Sequence, residues 1–285
     1  MKRVRKAIIP VAGMGTRFLP ATKALAKEML PIVDKPTIEY IVEEAVKSGI
    51  EEILFITSPY KKNIEDHFDR SFELEKRLEK SNKLEQLEMI KNISNLASFY
   101  YIRQGEPLGT GHAVRLAKNF IGDEPFAILY GDDIVVSEIP CLKQMMQIYE
   151  KNDCNVLCAE ELDDYLIPQK GIIEYEDIES GKVKGLVEKP KLEEAPSKHG
   201  TLGRYILKPE IFEELEKIGM TNGEYLLTDA LLALMRKQDF YACKLVGTYY
   251  DVGNQIGYIK ANVEFALARK DLSEAMREYL GKLKI

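Results

Sequence analysis

The sequence has few of the side chains that hold zinc or staple a fold. Its 285 residues include four cysteines and three histidines. Cys141, Cys154, Cys158 and Cys243 form no C-x-x-C pair, and His67, His112 and His199 lie far apart. They read as neutral thiols and scattered imidazoles, not as a zinc site or a disulfide framework. No apolar run approaches the roughly 18 residues of a membrane span. The basic start Lys2, Arg3, Arg5, Lys6 runs directly into a strand-like segment, so no membrane is expected and the expected location is cytoplasmic. Positive charge is not in excess: 40 Lys and Arg stand against 46 Asp and Glu, for a net charge of −6. Nucleic acid is therefore disfavoured as a partner, and any phosphate site must be a local basic cluster. The P-loop pattern is absent, and Phe18 stands where the dinucleotide fingerprint needs its third glycine. That weighs against an NAD-dependent oxidoreductase.

With 45% hydrophobic and 30% charged residues, the chain has the composition of an ordinary globular protein with a sizeable core. Its organising stretch is residues 7 to 36. An apolar run (Ala7, Ile8, Ile9, Val11, Ala12) breaks at Gly13 and Gly15, and a long irregular segment then carries Arg17, Lys23 and Lys27 between Pro20 and Pro31. Glycines at the end of a buried strand let backbone N–H groups approach an anion, and Arg and Lys neutralise it. The bland alternative is a glycine turn followed by a solvated basic loop. Residues 37 to 48 have a helical period that stops at Gly49, and 52 to 57 (EILFIT) read as a buried strand. Strand, loop, helix, strand is the unit of a parallel sheet.

Ile64, Phe68 and Phe72 continue at helical spacing, and Glu73 to Lys91 reads as an exposed helical arm. SFYYIR (98 to 103) is the next strand, followed by Gly105, Gly109 and Gly111 at a second glycine-rich turn. Such turns gather at the carboxyl edge of open α/β sheets, although these glycines could also just tighten a connection. FAILYGDDIVV then runs a strand into Asp132 and Asp133. These carboxylates either cap the next turn or, with two phosphate-type loops aimed at the same edge, hold Mg²⁺; the second reading is preferred. Further on, a helix is expected over 142 to 151 and strands at 155 to 159, 171 to 175, 184 to 188 and 203 to 207. Helices near 209 to 217 and 228 to 237 and a strand over 241 to 248 follow. The last long helix is expected to bury Ile256, Ile259, Val263 and Ala266, with a helical tail to Leu283. No repeat or clean boundary appears, so residues 1 to 285 read as one domain with insertions.

Taken in order, PVAGMGTRFLPATKALAKEMLPIVDKP, RQGEPLGTGHAV, LYGDDI, VEKP, APS…GRYIL, LTDA and YDVGN resemble the bacterial UTP:glucose-1-phosphate uridylyltransferases, within the sugar nucleotidyltransferases. The resemblance spans about Val4 to Leu267. It implies an α/β fold, Rossmann-like, three-layer α/β/α, with a mixed, mainly parallel sheet. It also implies sugar-binding insertions at about 160 to 205, a helical tail at about 254 to 285, and a homodimer or homotetramer. The implied reaction is Mg²⁺-dependent transfer of UMP from UTP to a sugar 1-phosphate. Position by position, Ala12 and Gly13 would meet the uracil, with Gly15 and Thr16 also on the nucleotide. Gln104 would read the base, Gly109 would let the nucleoside pack closely, and Glu28 would lie on the nucleoside side. Arg17 and Lys27 would grip the triphosphate, and Asp132 and Asp251 would bind Mg²⁺. Lys189 would hold the sugar phosphate, and Glu188 with the backbone of Gly171 and Gly203 the sugar hydroxyls. The implied catalytic set is thus Arg17, Lys27, Asp132, Lys189 and Asp251. Departures gather on the sugar side: Lys170 replaces a usual tyrosine, Tyr225 and Leu226 replace Ile-Gln, and His199-Gly200 replaces apolar residues. Rival readings are a transferase using dTTP or another sugar phosphate, and a catalytically silent nucleotide-sugar-binding protein.

Overall fold

The computed structural model describes residues 1–283; the last two residues of the expected tail, Lys284 and Ile285, lie outside the described residues. Its strands in chain order are β1 (Lys6–Pro10), a small hairpin of β2 (Pro31–Ile32) and β3 (Lys35–Pro36), β4 (Glu52–Thr57), β5 (Ser98–Arg103), β6 (Phe126–Leu129) and β7 (Asp133–Val136). After these come β8 (Asn155–Glu161), β9 (Gly171–Asp177), β10 (Lys182–Glu188), β11 (His199–Leu207), β12 (Phe240–Lys244) and β13 (Thr248–Asp251). Nine of them form one mixed sheet in the order β5-β4-β1-β6-β11-β8-β12-β10-β9.

The first half is parallel, because each strand is followed by a helical crossover. β11 then enters antiparallel to both β6 and β8, and β9 also touches β11 at Ile172↔Gly200, so the second half curls back on itself. The expectation of a mainly parallel sheet therefore holds for the first half, while in the second half β8 and β12 alone pair in parallel. The long β9–β10 hairpin returns the chain by tight turns, which favours antiparallel pairing.

Alternation along the strands explains why they are apolar throughout. Ala7, Ile9, Ile53 and Phe55 join one buried cluster with the helices Thr37–Ser48 and Cys141–Asn152. Ile8, Leu54, Ile56 and Ile128 join another with the helices Thr110–Arg115, Ile211–Lys217 and Leu227–Met235. Both faces of the sheet are covered, and each such side chain contributes about 1.5 to 3 kcal/mol of burial.

Three local expectations change. The helical arm over 73 to 91 is two helices, Phe72–Lys80 and Leu84–Ser94, broken where Asn82 takes a positive φ. The expected strand from Tyr241 to Thr248 is two, β12 and β13, separated at Gly247, whose φ is +156°. The helix Gln255–Ala268 does not bury Ile256 and Ile259, which are 63% and 55% exposed. Its inner face is Tyr258, Ala261, Phe265 and Ala266, because the Asn254 cap and the Tyr258 hydroxyl, which donates to the Pro31 carbonyl, fix its rotation.

Candidate active site

Parallel strands β1, β4, β5 and β6 end at one edge of the sheet, and the segments that follow β1, β5 and β6 build a cleft of about 340 Å³. Ala12 and Gly13 after β1, Gln104 after β5, Gly109 and Thr110 at the next helix, and Tyr130 and Asp132 after β6 line it, with Lys27, Glu28 and Glu224. Gly13 has open space where a Cβ would project, so ligand can approach the backbone there. At Gly109, φ is +93° and an added Cβ would lie 2.7 Å from the Tyr225 carbonyl, so no other residue fits without a shift. Gln104 is buried and donates to the Gly109 carbonyl at 3.3 Å, which fixes its amide in the cleft wall.

The cleft floor is charged. Lys27 Nζ lies 2.5 Å from Asp132 Oδ2. Burial opposes ionisation of Asp132, but the ammonium outweighs it and holds the carboxyl below its ordinary range. Glu28 is 1% exposed and pairs with Lys61 at 2.7 Å. Burial pushes the Glu28 carboxyl up against the opposing pull of Lys61 and Lys27. Asp133 turns away from the cleft: it accepts from the Tyr249 hydroxyl at 2.6 Å and the Gly203 N–H at 3.0 Å. Burial, reinforced by the charge of Asp132, raises Asp133 to about 6.

β13 pairs antiparallel with β7 and sets Asp251 opposite Asp133. The chain then turns at Gly253, where an added Cβ would lie 2.4 Å from Asp132 Oδ2 and 3.1 Å from Asp251 Oδ1. The two carboxylates thus converge on a cradle that a side chain would fill. Arg17 reaches the same turn and donates to the Gly253 carbonyl at 3.4 Å. Among the described residues no three His, Cys, Asp or Glu side chains group as a metal site. Two carboxylates suit an ion that completes its shell with water and phosphate oxygens, as Mg²⁺ does.

On the far side of Asp133, the β9–β10 hairpin pairs Glu188 with Gly171, and a Cβ there would meet Glu188 Oε2 at 3.3 Å. Lys189 follows with φ +46°, its N–H bonded to the Lys170 carbonyl and its side chain 61% exposed. A non-glycine residue held at positive φ stores strain of the kind found at ligand sites.

Arg17, Lys27, Asp132 and Asp251 are brought together at the Gly253 turn; of these only Lys27 and Asp132 line the cleft, Asp251 lines a second cavity with Lys170, and Lys189 lines neither. Gly203 reaches the edge with its N–H already engaged by Asp133. Thr16 lines a different cavity with Leu19 and Tyr60, and Gly15 (φ +64°) shapes the loop, its carbonyl accepting from Thr22 at 2.7 Å. Neither lines the cleft: Thr16 is exposed, and a Cβ at Gly15 would meet Lys27 Cβ at 3.1 Å behind it. Sequence reasoning passed over Lys61, Tyr249 and the fully buried Arg204, which pairs with Glu44 at 2.9 Å. A charge inside the apolar run of β11 was the one available signal for Arg204.

Comparison with known proteins agrees with this geometry. The nucleotidyl transferase family model matches residues 6–267. A UTP–glucose-1-phosphate uridylyltransferase of Bacillus subtilis (strain 168) is 51% identical over 99% of this chain and 98% of its own. A UTP-bound UGPase from Acinetobacter baumannii superposes with a TM-score of 0.90 at 36% identity, covering 99% of this chain and 100% of that one. A UDP-glucose pyrophosphorylase complexed with UDP-glucose gives 0.85 at 40% identity, covering 94% and 100%. The chain belongs to the nucleotidyl transferase family, in its UTP–glucose-1-phosphate uridylyltransferase group.

Proposed function

We propose that the protein transfers UMP from UTP to glucose 1-phosphate, giving UDP-glucose and pyrophosphate. The observation that carries this reading is the convergence of Asp132 and Asp251 on Gly253, with Lys27 on the first carboxylate and a backbone-lined cleft beside it. A phosphate oxygen of the sugar phosphate forms the new bond to the α-phosphorus, and pyrophosphate leaves with the electron pair of the broken bond. The attacking oxygen is already anionic, so no protein base or nucleophile is required. What the chain supplies is in-line positioning and relief of repulsion between two anions.

In this reading Ala12 and Gly13 hold the uracil, Gln104 reads its edge, Gly109 admits the nucleoside, and Glu28 with Lys61 forms the floor. Arg17 and Lys27 hold the triphosphate, Lys189 the sugar phosphate, and Glu188 with Gly171 and Gly203 shapes the sugar side. Mg²⁺ would be held by Asp132 and Asp251 and, when bound, supplies Lewis-acid neutralisation of phosphate oxygens. The fold is taken as a Rossmann-like three-layer α/β/α domain with sugar-binding insertions over 160 to 205. A cytoplasmic location is proposed alongside; no helix of the described residues is long and apolar enough to cross a membrane. The exposed Ile256, Ile259 and Tyr279 give a homodimer or homotetramer an apolar surface.

The test is pyrophosphate release with Mg²⁺, a panel of nucleoside triphosphates and a panel of sugar 1-phosphates. Release should be fastest with UTP and glucose 1-phosphate. Release with dTTP alone replaces the nucleotide assignment, and none with any pair sinks the reading. Asp132→Ala or Lys189→Ala should lower kcat/KM by about 10²- to 10³-fold, the loss expected of one charge contact at an electrostatic site. An unchanged circular dichroism melt would show that the fold is intact.

A further inference from the structure

Each of the two converging carboxylates carries its own ammonium. Lys27 Nζ lies 2.5 Å from Asp132 Oδ2, and Lys170 Nζ lies 3.7 Å from Asp251 Oδ2. Both lysines are largely withdrawn from water, with side chains 21% and 23% exposed. Lys170 is held from several directions. Its ammonium donates to the Tyr249 hydroxyl at 3.2 Å and lies over that ring, 5.3 Å from the centroid. Its carbonyl accepts the Lys189 N–H at 3.0 Å. The contact with Asp251 is longer than a hydrogen bond, so it acts through charge and can be given up. Among the described residues no other Lys or Arg lies within ion-pair distance of Asp251.

We infer that Lys170 is the resident counter-ion of Asp251, which a divalent cation must displace before Asp251 and Asp132 can hold it. The ammonium competes for the same carboxylate and repels an incoming dication across a few ångströms of partly desolvated space. Lys170 therefore weakens cation binding to the substrate-free protein. It reserves tight binding for the state in which a triphosphate adds negative charge. Lys170 is a positioning residue in this scheme; it sets the charge at Asp251 and forms no bond to the reacting atoms. The inference rests on the reading of Asp132 and Asp251 as the metal pair.

Mn²⁺ titrated into the substrate-free protein, with free Mn²⁺ followed by electron paramagnetic resonance, tests both levels. Lys170→Met keeps the aliphatic stem against Tyr249 and removes the charge, and should lower the Kd for Mn²⁺ by about three- to tenfold. Lys170→Gln should behave alike, whereas Lys170→Arg, which keeps the charge, should stay within about twofold of the parent, a split that a packing role would not produce. Asp251→Asn should bind Mn²⁺ more weakly. If Asp251→Asn weakens binding while Lys170→Met and Lys170→Gln leave it unchanged or weaker, the counter-ion role is overturned and the metal pair stands. If Asp251→Asn binds like the parent, or the parent binds no Mn²⁺, the metal pair and the inference fall together.

Discussion

Arg204 heads the fully buried side chains in size among the described residues, and it holds the Tyr130–Asp133 turn from beneath. Its guanidinium pairs with Glu44 on the helix Thr37–Ser48 and donates to the carbonyls of Asp133, at 2.5 Å, and Tyr130. Removing one partner of such a pair leaves the other charged and dry, so Arg204→Met should cost about 3 to 5 kcal/mol in urea denaturation. Adding Glu44→Leu should recover much of that stability without restoring turnover, since the two carbonyls stay without the guanidinium. Glu124 offers a pH-dependent counterpart. Hydrogen bonds from Arg5, then from Lys6, hold its carboxyl down to about 2. An unfolded glutamate titrates near about 4.3. Its stabilisation is therefore complete above that value and is lost as pH falls through about 2. Glu124→Gln should flatten the decline of Tm with acidification in that window. At this scale Gly13 and Lys27 of the cleft lining were legible because glycine and lysine mark a loop by their chemistry. Lys61 and Arg204 were not, because their partners, Glu28 and Glu44, lie 33 and 160 residues away.

The helix Gln255–Ala268 shows how an element carries a site. Asn254 caps it, accepting the Gly257 N–H at 2.9 Å while donating to the Asp251 carbonyl at 3.1 Å. One side chain thus starts the helix and fixes the turn that presents Asp251. Asn254→Ala should lower stability by about 1 kcal/mol in thermal melts. It should also raise the Mn²⁺ Kd, because Asp251 loses its anchor. The helix itself was legible from its period, as was the burial of Ala266; the rest of its buried face was not. Ile256 and Ile259 are the more apolar choice, yet the cap and the Tyr258 hydroxyl rotate the helix so that Tyr258 and Phe265 face inward. The two-helix arm had a similar fate: apolar spacing continues across residues 81 to 83 while Asn82 turns the backbone.

At the scale of the whole molecule, a protein of net charge −6 concentrates Arg17, Lys27, Lys61, Lys170 and Lys189 around one sheet edge. Anionic substrates are drawn there by a field that salt screens, so KM for UTP should rise severalfold between about 0.05 and 0.5 M ionic strength, with kcat changing less. The parallel half of the sheet was legible because each buried strand precedes a helix in sequence. The mixed half was not, since nothing local states that β11 returns beside β6 or that β13 pairs with β7.

That last pairing has a consequence for synthesis. β7 is complete by Val136, but its partner begins at Thr248, more than a hundred residues later in translation. A ribosome-bound chain that has released β1 to β7 already owns Ala12, Gly13, Gln104, Gly109 and the Lys27–Asp132 pair. It has no Asp251. The order of emergence gives the growing chain most of the cleft lining first and withholds Glu224 and the second carboxylate until the fold around them is nearly finished.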